Sequence, residues 1–176
     1  GADETRTSEA EESTITGKTT ISASGKVVID GFRFFDDSVN ESRSAVLVTN
    51  LEGTPVIRNS IFERAGETAG DTASSNQRGI EIAGSSTGGI LIENNLFTSD
   101  VENVWANQGW KSAIWSNGGT NETIIQNNVF ENSRTAINFD NFSDTFTVTG
   151  NTFRNNGTAN SFGGATPTDG SFTIAG

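Results

Sequence analysis

Cysteine, histidine, tyrosine and methionine are all missing from this chain of 176 residues. The lack of cysteine rules out disulfides and thiolate chemistry. The lack of histidine removes the usual general base and the commonest metal ligand, and the lack of tyrosine removes a phenolic acid. With no methionine anywhere, Gly1 reads as a processed or cut end and not as a translation start. No apolar run approaches the roughly 20 residues of a membrane-spanning helix, and no signal-peptide pattern remains. Basic residues are scarce: 11 Lys and Arg stand against 22 Asp and Glu, for a net charge of −11. Such a surface is a poor partner for nucleic acid or anionic membranes, so neither nucleic-acid binding nor membrane insertion is expected.

What is present is repetition. Ile125-Gln126-Asn127-Asn128-Val129-Phe130 has close copies at Ile92–Phe97 and Ile57–Phe62, and looser ones at Val148–Phe153 and Ile29–Phe34. Ile174-Ala175-Gly176 opens a sixth. The pattern is an aliphatic residue, a polar one, two small or amide residues, any residue, then Phe. The spacing between the Phe residues is 28, 35, 33 and 23, which is irregular. A second anchor accounts for this. Each copy follows a short apolar strand beginning at Val46, Ile80, Ile114 or Ile137, always 11 or 12 residues before the motif. All the length variation therefore falls between the Phe and the next strand, over Phe35–Ser44, Glu63–Arg78, Thr98–Ser112 and Glu131–Thr135.

Period-two alternation with Asn, Thr and Gly between the apolar residues predicts strands, three short ones per unit. Units of this length that bury their apolar face against the next unit make a solenoid. The fold expected is all-β: a parallel β-helix of about five complete coils, with long loops on one side. Strand one taken at Ile21, Val46, Ile80, Ile114, Ile137 and Asn160 aligns the coils. Stacking then predicts an interior column of Phe34, Phe62, Phe97, Phe130 and Phe153 and another of Ile29, Ile57, Ile92, Ile125, Val148 and Ile174. Residues 1–14 carry no large apolar residue and predict an acidic, flexible N-terminal segment. The β-helix domain is expected over 15–176, ending in mid-coil. Open coil ends recruit further strands, so the chain is expected to continue in a longer protein or to stack head to tail on a second copy.

The Asn-rich bend resembles the asparagine ladder of the right-handed parallel β-helices of the pectin-lyase-like superfamily. The resemblance covers residues 15–176, with the ladder at Asn59, Asn94/Asn95, Asn127/Asn128 and Asn151 and a departure at Gly31. That family also places its variable loops after strand three, beside the face made by strand one. It spans lyases, hydrolases, epimerases, tailspikes and non-catalytic adhesins, so the resemblance implies fold and leaves function open.

On strand one the residues flanking the inward Ile point out: Ser22, Leu47, Glu81, Trp115, Asn138 and Ser161, with Thr49, Ala83, Asn117 and Asp140 one step on. All three tryptophans, Trp105, Trp110 and Trp115, fall in or just after one loop. An aromatic platform flanked by acid and amide stacks and hydrogen-bonds a sugar ring, so Trp105, Trp110, Trp115, Glu81, Asn138 and Asp140 are the candidate glycan-binding residues. The competing reading is that Trp105 and Trp110 only cover the side of the coil and that Trp115 lies under their loop. Arg78, Lys111 and Arg134 sit at the loop ends before strand one, as loop anchors or as a base. No family catalytic motif matches residue by residue, so no catalytic residue is assigned. No cofactor is expected; Asp140-Asn141-Phe142-Ser143-Asp144 has oxygen ligands enough for Ca²⁺ but not the spacing of an EF-hand. The expected function is a non-catalytic extracellular or cell-surface β-helix module, structural or adhesive, with a weak site for a polysaccharide or glycan. The alternative is a carbohydrate-active enzyme working on the strand-one face.

Overall fold

The computed structural model describes residues 13–22, 24–37, 44–65, 77–84, 87–100, 109–118, 122–141, 145–162 and 172–175. Eighteen strands follow in chain order: β1 (Ser13–Thr16), β2 (Thr19–Ile21), β3 (Val28–Asp30), β4 (Phe32–Asp36), β5 (Ser44–Thr49), β6 (Val56–Arg58), β7 (Ile61–Arg64), β8 (Arg78–Ala83), β9 (Ile90–Glu93), β10 (Leu96–Ser99), β11 (Ser112–Asn117), β12 (Glu122–Gln126), β13 (Val129–Glu131), β14 (Thr135–Asn141), β15 (Thr145–Thr149), β16 (Thr152–Arg154), β17 (Thr158–Phe162) and β18 (Phe172–Ala175). They pair into three six-stranded sheets, and each strand's neighbours are the strands three elements away along the chain. Every pairing is parallel. The chain is thus a parallel β-helix of about five coils. The first-strand sheet holds β2 to β17, the second β3 to β18, and the third β1 to β16.

Burial follows the alternation. The rings of Phe34, Phe62, Phe97 and Phe130 are fully buried. They stack with Phe153 in one column at centroid separations of 4.8, 4.7, 4.9 and 5.3 Å, with interplanar angles of 9–12°. This is the strand spacing transmitted to the side chains, and each buried ring contributes roughly 1.5–3 kcal/mol. Ile29, Ile57, Ile92, Ile125 and Val148 make the second buried column. Gly79 lies tight under this packing. A Cβ there would sit 2.6 Å from the Ala113 carbonyl oxygen and 3.1 Å from the Phe97 ring.

The bend between strands two and three separates into two columns with different tasks. Gly31, Asn59, Asn94, Asn127 and Gly150 all have left-handed backbone, with φ from 51° to 76°. Only glycine and asparagine adopt that conformation at little cost. The hydrogen-bonded ladder is the next residue along: Ser60, Asn95, Asn128 and Asn151. Asn95 Oδ1 accepts from the Ser60 backbone N–H, Asn128 Oδ1 from that of Asn95, and Asn151 Oδ1 from that of Asn128, at 2.8–3.0 Å. Their Nδ2 groups donate to the carbonyls of Ile57, Ile92 and Ile125. Asn59 therefore belongs to the left-handed column and not to the ladder, and Gly31 is no departure from the pattern.

The first coil also differs from the sequence alignment. Thr19 pairs with Val46 and Ile21 with Val48, so Thr20, not Ser22, lies in the column of Leu47. A shift of two residues keeps every side chain on its face, so apolar patterning cannot distinguish the two registers. β1 starts at Ser13, ahead of the expected start at 15.

Candidate functional site

The face of the first-strand sheet is built by β5, β8, β11 and β14. Ile80, Ile114 and Ile137 point in and are fully buried. The alternate residues Leu47, Glu81, Trp115 and Asn138 stand in one register column on the outside. Ser44, Arg78 and Ser112 form a parallel column three residues earlier. At the far end the register slips between Ser116 and Asn117, and Asn117 pairs with Asn141. Asp140 is thus the extra residue of a bulge, and does not stand opposite Asn117 as simple counting predicts. Bulges re-aim side chains, and this one brings the Asp140 carboxylate to the indole N–H of Trp115, which donates to its Oδ2.

The Arg78 guanidinium lies over the Trp115 ring, 3.4 Å from its centroid. It donates from Nη1 to Glu81 Oε2 at 3.0 Å, and Ser44 Oγ donates to the same carboxylate oxygen. Ser44, Glu81, Arg78, Trp115 and Asp140 thereby form one chain of contacts across four coils. One face of the expected aromatic platform is already covered by a cation, in the geometry of a cation–π pair.

Beside this chain of contacts is a recess of about 110 Å³ lined by Arg78, Lys111, Ser112, Trp115, Asn138 and Asp140. Asn138 Oδ1 is buried and accepts no hydrogen bond. Lys111 stands exposed at the rim. Partial burial of its ammonium, then the neighbouring Arg134 and Arg78 guanidiniums, lower its pKa, and Asp140 pulls the other way. Among the described residues, three cations stand against the carboxylates of Glu81 and Asp140 in a chain of net charge −11.

Of the residues named from sequence, Glu81, Trp115, Asn138 and Asp140 come together here. Trp110 does not. It is fully buried, its backbone N–H donates to Ser99 Oγ, and its indole N–H donates to the Phe62 carbonyl at 3.3 Å. It walls the side of the coil, as the covering interpretation has it, and takes no part in the recess. Trp105 lies outside the described residues, as do residues 142–144 of the stretch considered for Ca²⁺. Among the described residues no three acidic groups cluster in a way that could hold a metal ion. Sequence reasoning missed Ser44 and Ser112; the signal was their place in the register column of Arg78. No protein-family model, no curated protein and no solved structure matches this chain.

Proposed function

We propose that this chain is a non-catalytic extracellular β-helix module, structural or adhesive in role, that contacts a saccharide at the recess on its first-strand sheet. Its architecture fits the right-handed helices of the pectin-lyase-like superfamily. The observation that carries the reading is the recess itself, where Trp115, Asn138, the carboxylate of Asp140 and the ammonium of Lys111 meet on the outer face of the sheet. Sugar hydroxyls both donate and accept, so one could donate to Asp140 while accepting from Lys111. Glu81 and Asp140 are engaged with different partners, Arg78 and Trp115, and this weighs against a paired-carboxylate hydrolase. Three cations beside Asp140 weigh against Ca²⁺ at this point.

The test is a broad glycan array with the parent chain and Trp115→Ala, which removes the wall of the recess and the anchor of Asp140. Binding by the parent that weakens about tenfold or more in the variant, roughly 1.4 kcal/mol, is the expected result. Binding that survives Trp115→Ala unchanged would reject the site. The enzyme alternative is favoured by one observation, the lowered pKa of Lys111 beside Asp140. A lyase assay on uronate polymers, read by absorbance of the unsaturated product, decides it. Self-association through the outer strands of the sheets belongs to the same proposal, because a strand edge can recruit a further strand.

A further inference from the structure

We infer that the outer face of the second-strand sheet is a docking surface for a second copy of this chain, which lies against it with its coils in the opposite order. This face is separate from the recess on the first-strand sheet and from the strand edges. Its centre is a column of aliphatic side chains, Val28, Val56, Leu91 and Ile124, one from each of β3, β6, β9 and β12. Val28 is 45 % exposed, and the other three are half-exposed. Scattered apolar side chains are ordinary on a surface, but a contiguous row rimmed by polar residues marks an interaction site. The row stops at β15, where Thr147 stands in register with Ile124. Two residues on along each strand stand Asp30, Arg58, Glu93 and Gln126. The Arg58 guanidinium holds the Asp30 carboxylate at 2.8 Å, and Gln126 Nε2 donates to Glu93 Oε2 at 2.9 Å, so this second column is ordered. On the other side of the row, two residues before Val28 and Ile124, stand Lys26 and Glu122, both exposed.

A chain of net charge −11 repels its own copies. On this face Lys26 and Arg58 stand against Asp30, Glu93 and Glu122, so the charge nearly balances. The order of the charges fits one arrangement. Sheets pack face to face with their strands nearly aligned. A two-fold axis parallel to the strands, running between β6 and β9, keeps each column opposite itself and reverses the coils. It sets Val28 against Ile124 and Val56 against Leu91. It also sets Lys26 against Glu122 and Arg58 against Glu93, each pair twice, because a two-fold contact is isologous. An axis along the helix, over the aliphatic row, sets Arg58 against Thr54 and Glu93 against Gly89, and both of those charge pairs are lost. The third-strand sheet has an aliphatic row as well, Ile61, Leu96 and Val129. There a reversal about Leu96 sets Glu63 against Glu131, which repel. Four strands at ~4.8 Å by five residues at ~3.3 Å give roughly 300 Å² per copy, well under the ~800 Å² per partner of a stable complex. The pairing is therefore weak, with a Kd on the order of 0.1 mM, and it matters where copies are held close together.

Sedimentation of the full chain over a concentration series at low salt reads the association, and Lys26→Glu and Glu122→Lys read its geometry. Both side chains are exposed, and circular dichroism melts check that the variants fold as the parent does. Each single variant turns two opposite-charge contacts into like-charge ones and should weaken self-association about tenfold. An equimolar mixture of the two variants should associate as the parent does. In the mixed pair the two altered positions meet with opposite charges, while the unaltered Lys26 and Glu122 meet as before. At about 0.5 M salt the difference between parent and single variants should shrink to about twofold. A parent chain that stays monomeric up to about 1 mM overturns the inference and leaves the face to a different partner. Association equal in the parent and both single variants also overturns it, and places self-association at the strand edges. Loss in both single variants with no recovery on mixing overturns it as well.

Discussion

Truncating Phe97 to alanine tests the interior most directly. The ring is fully buried and lies between Phe62 at 4.7 Å and Phe130 at 4.9 Å, both nearly parallel to it. Removing it takes away the transfer free energy of the ring, opens a cavity that cannot collapse against backbone held in three sheets, and breaks two stacking contacts. Phe→Ala in a core costs about 3–5 kcal/mol, and aromatic pairs add roughly 0.5–1.5 kcal/mol beyond area burial. The expected loss is about 4 kcal/mol or slightly more. At roughly 2–4 °C per kcal/mol for a domain of this size, that is on the order of 10 °C in Tm. Phe153 provides the control. It is half-buried and has one ring neighbour in the column, Phe130 at 5.3 Å. Phe153→Ala should cost about half as much. Thermal melts followed by circular dichroism measure both. A Phe97→Ala melt within about a degree of the parent, or a larger loss for Phe153→Ala, would refute the stacked interior.

Two further predictions concern polar groups inside the wall. Asn128→Ala removes an acceptor from the Asn95 N–H and a donor to the Ile92 carbonyl; at about 1–3 kcal/mol per stranded buried group, urea unfolding should show a loss of about 3 kcal/mol. Asn127→Gly, in the left-handed column, should stay within about 1 kcal/mol of the parent, and equal losses at the two positions would contradict the division of the bend into two columns. Asp36→Asn leaves the buried Arg64 charge without its carboxylate partner at 3.1 Å. Breaking such a pair from one side costs about 3–5 kcal/mol, and a change below 1 kcal/mol in the same assay would show that the pair is not closed off from water.

The fold was legible because its signals are local and repeated. One invariant Phe per coil and one left-handed Asn or Gly at each bend between strands two and three are requirements of stacking, and both are visible in the residues themselves. The register of the first coil was not legible: β2 is only three residues long, and a two-residue shift leaves Thr and Ile on the same faces. The site was read in part. Glu81, Trp115 and Asn138 follow from alternation alone. The reach of Asp140 depends on a bulge that no periodicity announces. The cover that Arg78 lays over Trp115 depends on a rotamer, and alternation does not encode rotamers. Trp110 and Trp115 are five residues apart in sequence, yet one is a wall and the other a surface, because a corner of the helix separates them.

The variable connection has a consequence for how this chain can change. The Phe residues that stack ring on ring are separated by 28, 35, 33 and 23 residues, and the stacking distances barely respond. Register is set at the asparagine bend and along the strands; where the corner after strand three is short, Asn132, Asn155 and Asn156 also bond from coil to coil there, so it is the longer connections that are left out of this bookkeeping. Doubling a flexible loop costs only about 0.6 kcal/mol in closure entropy. That corner is therefore a place where insertions and deletions can accumulate with little penalty to folding. It also borders the first-strand sheet, so the stretch most open to sequence drift adjoins the surface where a new ligand would be met. A β-helix of this kind can change what it recognises by editing one corner, coil by coil, while its interior stays as it is.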